Sequence, residues 1–343
     1  MTKVAVVILN WNGQKLLEKF LPSVIQNTTY YDAEIIVADN ASSDNSLGFL
    51  LDQYPLIKTI KLDKNYGFAG GYNKALQQIT AKYFVLLNSD VAPGPGWLEP
   101  LVETMERNES IGACMPKIKA FNSPDSFEYA GACGGYIDLF GYPFCRGRIL
   151  DHIEKDEHQY ESALSVFWAS GASLLINSEL YFTAGGLDED FFAHMEEIDL
   201  CWRIKNMNYQ IMVVPTSEVF HVGGATLSQQ NSHKTYLNFR NNLFMMVKNL
   251  SSSYFFIIFL TRMIMDGIAA IHFLLKGEIN HSFAVLKAHG SFYSLLPKFL
   301  TKRKKLKLFH TKLNHSEVYP QSIIWAFYVK KIKRFSQLKH FNL

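Results

Sequence analysis

Cysteine is scarce: the 343 residues hold only Cys114, Cys133, Cys145 and Cys201, with no CxxC pair and no zinc-ligand spacing. That pattern excludes a disulfide framework or zinc ribbon and suits a reducing, cytoplasmic setting where thiols act as small hydrophobes. Neither GxGxxG nor GxxxxGK[ST] occurs, so the signatures of a dinucleotide site and of a P-loop are both missing. No internal repeat is visible, and no charged leader with an apolar core and cleavage site precedes the run Val4–Leu9. Acid is nearly absent from one region. Residues 298–343 carry 12 Lys/Arg against a single acid, Glu317, whereas residues 1–250 carry 19 Lys/Arg against 28 Asp/Glu. The net charge of +3 thus conceals an acidic body with a basic tail, a tail suited to the phosphates of nucleic acid or anionic lipid.

The first hundred residues alternate two periodicities. Val4–Leu9, Glu34–Asp39, Ile57–Leu62 and Tyr83–Leu87 are β-rich and mostly apolar, as in strands covered on both faces. Between the first two, Leu16, Leu17, Phe20, Leu21, Val24 and Ile25 recur at helical spacing. The alternation predicts an α/β fold, its sheet flanked by helices, with ligands outside the carboxyl ends of the strands. Those ends read Asn10-Trp11-Asn12-Gly13, Asp39-Asn40-Ala41-Ser42, Asp63-Lys64-Asn65 and Asn88-Ser89-Asp90; all are polar. Residues 117–165 loosen into Gly, Pro and aromatics and read as an excursion over the site. Regular structure is expected again at Val166–Ile176 and as a helix from Glu196 to Lys205.

Several segments have two readings each. Asp39 can accept the imide N–H of uracil or thymine, or it caps a turn with Ser42. The stretch Asn65 to Asn73, with Gly67, Gly70 and Gly71, can open a helix to a phosphate, or it is a tight structural turn. Asp90 offers a carboxylate for Mg²⁺ or Mn²⁺ on a diphosphate, with His221 as a further ligand or a structural histidine. Glu196, Glu197 and Asp199 crowd one helix start, which suits the helix dipole and also suits a general base of raised pKa. Glu196 and Asp199 share a helix face while Glu197 points elsewhere, so one acid faces the site and another braces the helix through Arg203.

Taken in order, VVILNWNG, VADNASSD, NYGFAGGYN, LLNSD, WASGASLLI, MEEIDLCWR and FHVGG resemble the family 2 glycosyltransferases of GT-A fold. The similarity is greatest to the bacterial rhamnosyltransferase-like and galactofuranosyltransferase-like branch and covers residues 3–248. The resemblance implies a GT-A-type, Rossmann-like mixed sheet. It implies a nucleoside cradled by Asn10, Asn12, Asp39 and Asn65, with Gly70 and Asn88 beside the phosphates. It implies a metal on Asp90 and His221, a catalytic base at Glu197, and an acceptor side at Trp168, Ser170 and Gly171. Asn88 stands where the usual Asp-x-Asp motif has its first acid, and Glu197 stands where Asp is commoner.

The expected activity is inverting transfer of a sugar from a nucleoside-diphosphate sugar, dTDP-rhamnose before UDP-hexose, to a glycan or lipid-linked acceptor in surface-polysaccharide assembly. A sugar-phosphate nucleotidyltransferase would want a basic glycine-rich loop after the first strand, which NWNG is not. A processive synthase would need QxxRW and several spans, and neither is seen. A non-catalytic nucleotide-sugar-binding protein would have no use for the acids at 196–199. Division is expected into a catalytic domain, 1–250, and a helical basic region, 251–343. Residues 254–275 are long enough to span a bilayer, yet Arg262 and Asp266 sit mid-segment. Thr261, Arg262, Asp266, His272 and Lys276 fall within about 140° on a helical wheel. Either an amphipathic helix in the interface of an anionic membrane or a helix packed on the body follows; the basic run favours the membrane, and the apolar helix beside the tail favours lipid over nucleic acid. Peripheral attachment at the inner face of the cell membrane is the corresponding localisation.

Overall fold

The computed structural model describes residues 2–30, 32–223, 231–250, 254–309, 311 and 314–341. The first apolar run becomes β1 (Thr2–Asn10), with Val4 to Val7 fully buried, as a strand covered on both faces requires. Helix α1 (Gln14–Asn27) buries Leu17, Phe20, Leu21 and Val24, the stripe its spacing predicts. Then come β2 (Ala33–Asp39), α2 (Ser46–Gln53), β3 (Lys58–Lys61), α3 (Gly67–Leu76) and β4 (Ala81–Asn88). β1 pairs in parallel with β2 and β4, and β2 with β3. In that register Asn10 lies opposite Asp39, Asp39 opposite Lys61, and Leu9 opposite Asn88. The four polar strand ends therefore share one edge of the sheet.

Short β5 (Val91–Pro93) and α4 (Leu98–Arg107) lead to β6 (Ile111–Ala120) and β7 (Ser123–Phe127). The stretch read as loose instead builds β8 (Gly135–Asp138), β9 (Pro143–Cys145), β10 (Arg148–Ile149) and β11 (His152–Ile153), a second small sheet. The run expected over Val166–Ile176 is two strands, β12 (Leu164–Val166) and β13 (Ser173–Asn177). Between them Ser170 donates its hydroxyl to the Ala130 carbonyl and accepts from the Ala172 N–H, which turns the chain. β13 runs antiparallel between β4 and β6, which makes the sheet mixed. After α5 (Ser178–Thr183) and α6 (Glu196–Asn206), β14 (Gln210–His221) joins parallel to β6. The main sheet is ordered β12-β14-β6-β13-β4-β1-β2-β3, with β5 on β14 and β7 on β6.

Three helices follow: α7 (Ser232–Asn249), α8 (Phe255–Leu275) and α9 (Ile279–Leu306). The chain then returns as β15 (Val318–Tyr319), parallel to β8, before α10 (Ile323–Tyr328). That pairing crosses the boundary expected at residue 250: the small sheet is shared between both regions. Phe335 and Phe341 stack on each other at 5.1 Å and against Tyr136 of β8 at 4.8 and 4.7 Å. The basic segment is also partly spent on the body, since Lys298 and Lys302 of α9 pair with Asp188 and Asp190 at 2.5–2.6 Å.

The charged pair at the middle of the polar stripe of α8 faces inward, contrary to a helix with its charges turned to water or headgroups, while His272 and Lys276 of the same stripe are exposed. Arg262 and Asp266 are buried and paired at 2.8 Å, as their four-residue spacing allows. Arg262 also reaches the Phe140 carbonyl and the Asn242 side chain and lies 3.9 Å from the Tyr142 ring centre; Asp266 meets Tyr142 and His289. Length and composition alone would let this helix cross a membrane.

Candidate active site

The edge of the sheet gathers the first motifs. Asn10 is fully buried and donates to Asp39 (3.1 Å) and Ser42 (3.2 Å). Asp39 in turn accepts the Ser42 N–H at 3.0 Å, so it organises its own turn, the capping half of its two readings. Asn12, in the left-handed region at φ 50°, takes the Ser43 N–H at 2.7 Å and ties the two loops together. Asn40, noted in sequence only as a loop residue, is the link to the next motif. It donates to the Asn65 side chain and the Gly67 carbonyl and accepts the Tyr66 N–H, each at 3.0 Å. Asn65 accepts the Gly67 N–H at 2.8 Å, which fixes the start of α3. There Gly67 has φ +71°, and a Cβ on it would fall 2.7 Å from the Phe192 ring. Gly70 lies against Tyr66 and Glu189 within the first turns of α3, buried.

At the end of β4, Asp90 and His221 come together across β5 and β14. His221 Nε2 is 3.1 Å from Asp90 Oδ1 and 3.5 Å from the Asn88 amide, and its Nδ1 is 3.5 Å from Glu128 Oε2. Burial opposes a charge on His221, but Asp90 and Glu128 overcome it and lift the imidazole to about 10. The arrangement fits a divalent ion: one carboxylate oxygen and one imidazole nitrogen face each other, and a second carboxylate sits behind the ring. Nδ1 and Glu128 are too poorly aligned for a full hydrogen bond, yet a carboxylate behind a ligating histidine fixes its tautomer and orientation. Glu128 is the residue that sequence reasoning missed; it lies in the aromatic-rich excursion with no motif around it. It also explains one glycine of FHVGG, because a Cβ at Gly223 would come 2.6 Å from Glu128 Oε1. The last glycine of that motif, Gly224, lies outside the described residues. Among the described residues, Asp156, His158 and Glu161 form another compact group of potential ligands. Its two carboxylates already hold Lys117, at 3.1 and 2.7 Å.

The three acids of α6 separate by environment. Asp199 is fully buried and takes Arg203 (2.9 Å), Lys248 (2.7 Å) and Asn249 (2.8 Å). It braces α6 against α7, which corrects its grouping with the catalytic acids. Glu196 is buried, one oxygen unpartnered, and burial followed by the neighbouring Glu197 charge pushes its carboxyl well above the ordinary range. Glu197 is half-buried at the helix start; burial raises it to about 7 against the pull of the backbone N–H groups. Its Oε2 is buried and has no hydrogen-bond partner.

The loop before α6 is strained. Phe192, His194 and Met195 all have φ between 65 and 72°, each costing about 1–3 kcal/mol for a side chain that disfavours that region. One residue of α7 compensates: Asn241 donates its amide to the carbonyls of Phe191 (3.0 Å), Ala193 and His194 (2.8 Å each).

The WASGA turn closes the crevice from the other side. A Cβ on Gly171 would lie 3.4 Å from the Phe68 ring and 3.7 Å from Glu197 Cβ, and the Ala172 carbonyl accepts the Asn88 N–H at 3.0 Å. Strand end, α3, α6 and the turn are thereby joined. Trp168 stands behind this wall, 3% exposed, with its indole N–H on the Tyr136 carbonyl at 2.9 Å, and Ser170 is also buried. Of the three residues expected on the acceptor side, Gly171 lies nearest Glu197, and Trp168 and Ser170 are buried behind it. A cavity of about 410 Å³ beside Ser232, Glu278 and His281 lies apart from these residues.

The mixed sheet, with its polar carboxyl edge and the acid–histidine pair beside it, fits the GT-A-like fold that the sequence predicts. Comparison with known proteins agrees. Residues 5–163, just under half of the chain, match Glycosyl transferase family 2. It is similar to an N-acetylglucosaminyl-diphospho-decaprenol L-rhamnosyltransferase of Mycobacterium tuberculosis, 27% identical over 63% of this chain and 75% of that one. It is 24% identical to an O-antigen biosynthesis protein of Myxococcus xanthus, over 64% of this chain and 17% of that protein. Among solved structures, GalNAc-T7 with UDP, GalNAc and Mn²⁺ aligns at TM-score 0.60 and 19% identity, over 75% of this chain and half of that one. The mannosyltransferase PcManGT of Pyrobaculum calidifontis, with GDP-Man and Mn²⁺, aligns at 0.54 and 16%, over 90% and 85%. At such identities the structural likeness is one of fold.

Proposed function

We propose that the protein is an inverting, metal-dependent hexosyl or deoxyhexosyl transferase. It moves a sugar from a nucleoside-diphosphate sugar to a hydroxyl of a glycan or lipid-linked acceptor, in surface-polysaccharide assembly. dTDP-rhamnose is the favoured donor, supported by the rhamnosyltransferase relative, with UDP-hexoses next. A lipid-linked acceptor, met from the cytoplasmic face of the membrane, is supported by that relative's decaprenol-linked name and by the basic α9.

The observation that carries the reading is Glu197: an unpartnered carboxylate, poised near pH 7, against the Gly171 wall. It takes the proton from the acceptor hydroxyl as that oxygen attacks the anomeric carbon. Burial and the Glu197 charge favour the protonated form of Glu196 beside it. The Asn10, Asn12, Asp39 and Asn65 network cradles the nucleoside, with Gly70 and Asn88 toward the diphosphate. Asp90 and His221, oriented by Glu128, would hold Mg²⁺ or Mn²⁺, which when bound supplies charge neutralisation for the departing diphosphate. Mn²⁺ in both structural neighbours supports this assignment.

The test is nucleoside diphosphate release from a panel of dTDP-, UDP- and GDP-sugars with Mn²⁺, Mg²⁺ or chelator. Metal-dependent release from one donor is expected. If no nucleotide binds under any condition, the reading fails.

A further inference from the structure

We propose that the outer face of the α8–α9 hairpin seats in the surface layer of an anionic lipid bilayer, lying in its plane without crossing it. This deepens the membrane part of the function above and rests on it only for what the acceptor is. On α8, Phe256, Ile257, Leu260, Ile264, Ile268 and Ile271 are each 58–83% exposed. Their three- and four-residue spacing makes one continuous stripe along the helix. Phe283, Leu286 and Tyr293 of α9 extend it, 56–64% exposed. A helix packed on a soluble protein turns its apolar side in and its charges out; α8 instead buries an ion pair, Arg262 and Asp266, against Asn242, Tyr142 and His289 and leaves this apolar stripe exposed. Large contiguous apolar patches on a protein surface mark contact with another apolar body.

Orientation follows from what α8 buries. Ile258, Arg262, Asp266 and Ala270 are buried at successive turns, so the helix lies lengthwise on the body. Standing it across a bilayer would strip the charged pair from its partners and place it in hydrocarbon, where charge is costly.

Charge selects the occupant. From residue 267 to 316 the chain holds nine Lys/Arg and one acid, Glu278. Lys276, Lys287, Lys304, Lys305 and Lys307 are exposed. A second copy docking through the same patch would bring like charges together, because a two-fold interface is self-complementary. Anionic headgroups neutralise them, each basic group near the surface adding to binding.

The test is flotation with phosphatidylcholine vesicles, with and without phosphatidylglycerol, comparing wild type with the double variant Ile264→Lys/Ile268→Lys. Wild type should float with the anionic vesicles. The variant should lose partitioning by at least about a hundredfold, from two apolar side chains removed from lipid contact. Both should release nucleotide from the donor without lipid, which shows that the variant is folded. Equal flotation of the two proteins, no flotation of wild type, or a wild-type dimer that the variant breaks without any flotation would each overturn the proposal. A second readout avoids the charged variant altogether. All four native cysteines are buried, so an Ile264→Cys protein takes an environment-sensitive dye at that site. Its emission should shift on adding anionic vesicles, and an unchanged spectrum would overturn the proposal. Flotation needs no turnover: a protein that floats but binds no nucleotide supports this docking while defeating the transferase reading.

Discussion

Replacing Glu197 by Gln separates catalysis from stability, because the structure predicts opposite signs for the two. The amide cannot take the acceptor proton, and loss of general-base help lowers turnover by about 10²–10⁴-fold, with donor affinity kept. Stability should move the other way. Burial raises the Glu197 carboxyl from 4.5 to about 7. The folded state thus holds its proton to higher pH than the unfolded chain, and between those values it binds more protons. Stability therefore falls as pH rises through that window, and above it the cost is complete at about 3 kcal/mol. Gln carries no charge to bury, so the variant should resist denaturant better than wild type at pH 8. The gain should shrink as pH falls toward 4.5. Paired urea titrations at pH 4.5 and 8, beside nucleotide release at pH 8, measure both effects. Full turnover in the variant, or lower stability than wild type at pH 8, would refute the reasoning. Wild-type release itself should decline below about pH 7 as the base becomes protonated.

Three further outcomes are expected. Asp90→Ala should weaken nucleotide binding in the presence of Mn²⁺ but not with chelator; calorimetry giving equal affinities in both would remove Asp90 from the metal site. Glu128→Gln should lower metal affinity about 10–100-fold through a disoriented His221, seen by Mn²⁺ titration with nucleotide bound; an unaltered titration would leave Glu128 a purely structural role. Asn241→Leu should cost about 1–3 kcal/mol or more by leaving carbonyls of the 191–194 loop without their donor. Turnover should fall further than donor affinity; a drop in affinity alone would show that the loop serves the donor and not the base.

How much of this was legible in advance divides along a physical line. The strands and their polar carboxyl ends were legible, because a parallel strand buried on both faces is written as a local apolar run with its stop. The Arg262–Asp266 pair was legible too, being four residues apart on one helix. What depends on distant chain was not. Glu128 meets His221 across ninety-odd residues of sequence, and no spacing announces it. Asp199 looked like a third catalytic acid until Lys248 and Asn249, on another helix, claimed both its oxygens. The residues 117–165 have too many glycines and aromatics to show a period, yet β8 to β11 pair in turn with one another, and a strand from beyond residue 310 joins them at β8. A helical wheel finds the polar stripe of α8 but not the direction it faces. That direction is set by Asn242 and Tyr142 on the body and His289 on α9.

The pairing of β15 with β8 has a consequence for how the molecule is made. Synthesis delivers β8 long before β15, so until the later strand arrives one side of the small sheet is an open row of backbone donors and acceptors. Such an edge invites pairing with the wrong strand. The hairpin between them is meanwhile exposing its apolar stripe. The hairpin is held at both ends: α7 precedes it and β15 follows it. The apolar face is then carried like a keel fixed fore and aft rather than a tether on a loose end. A glycan on a lipid would meet the crevice at a height set by the body, not by the swing of a linker.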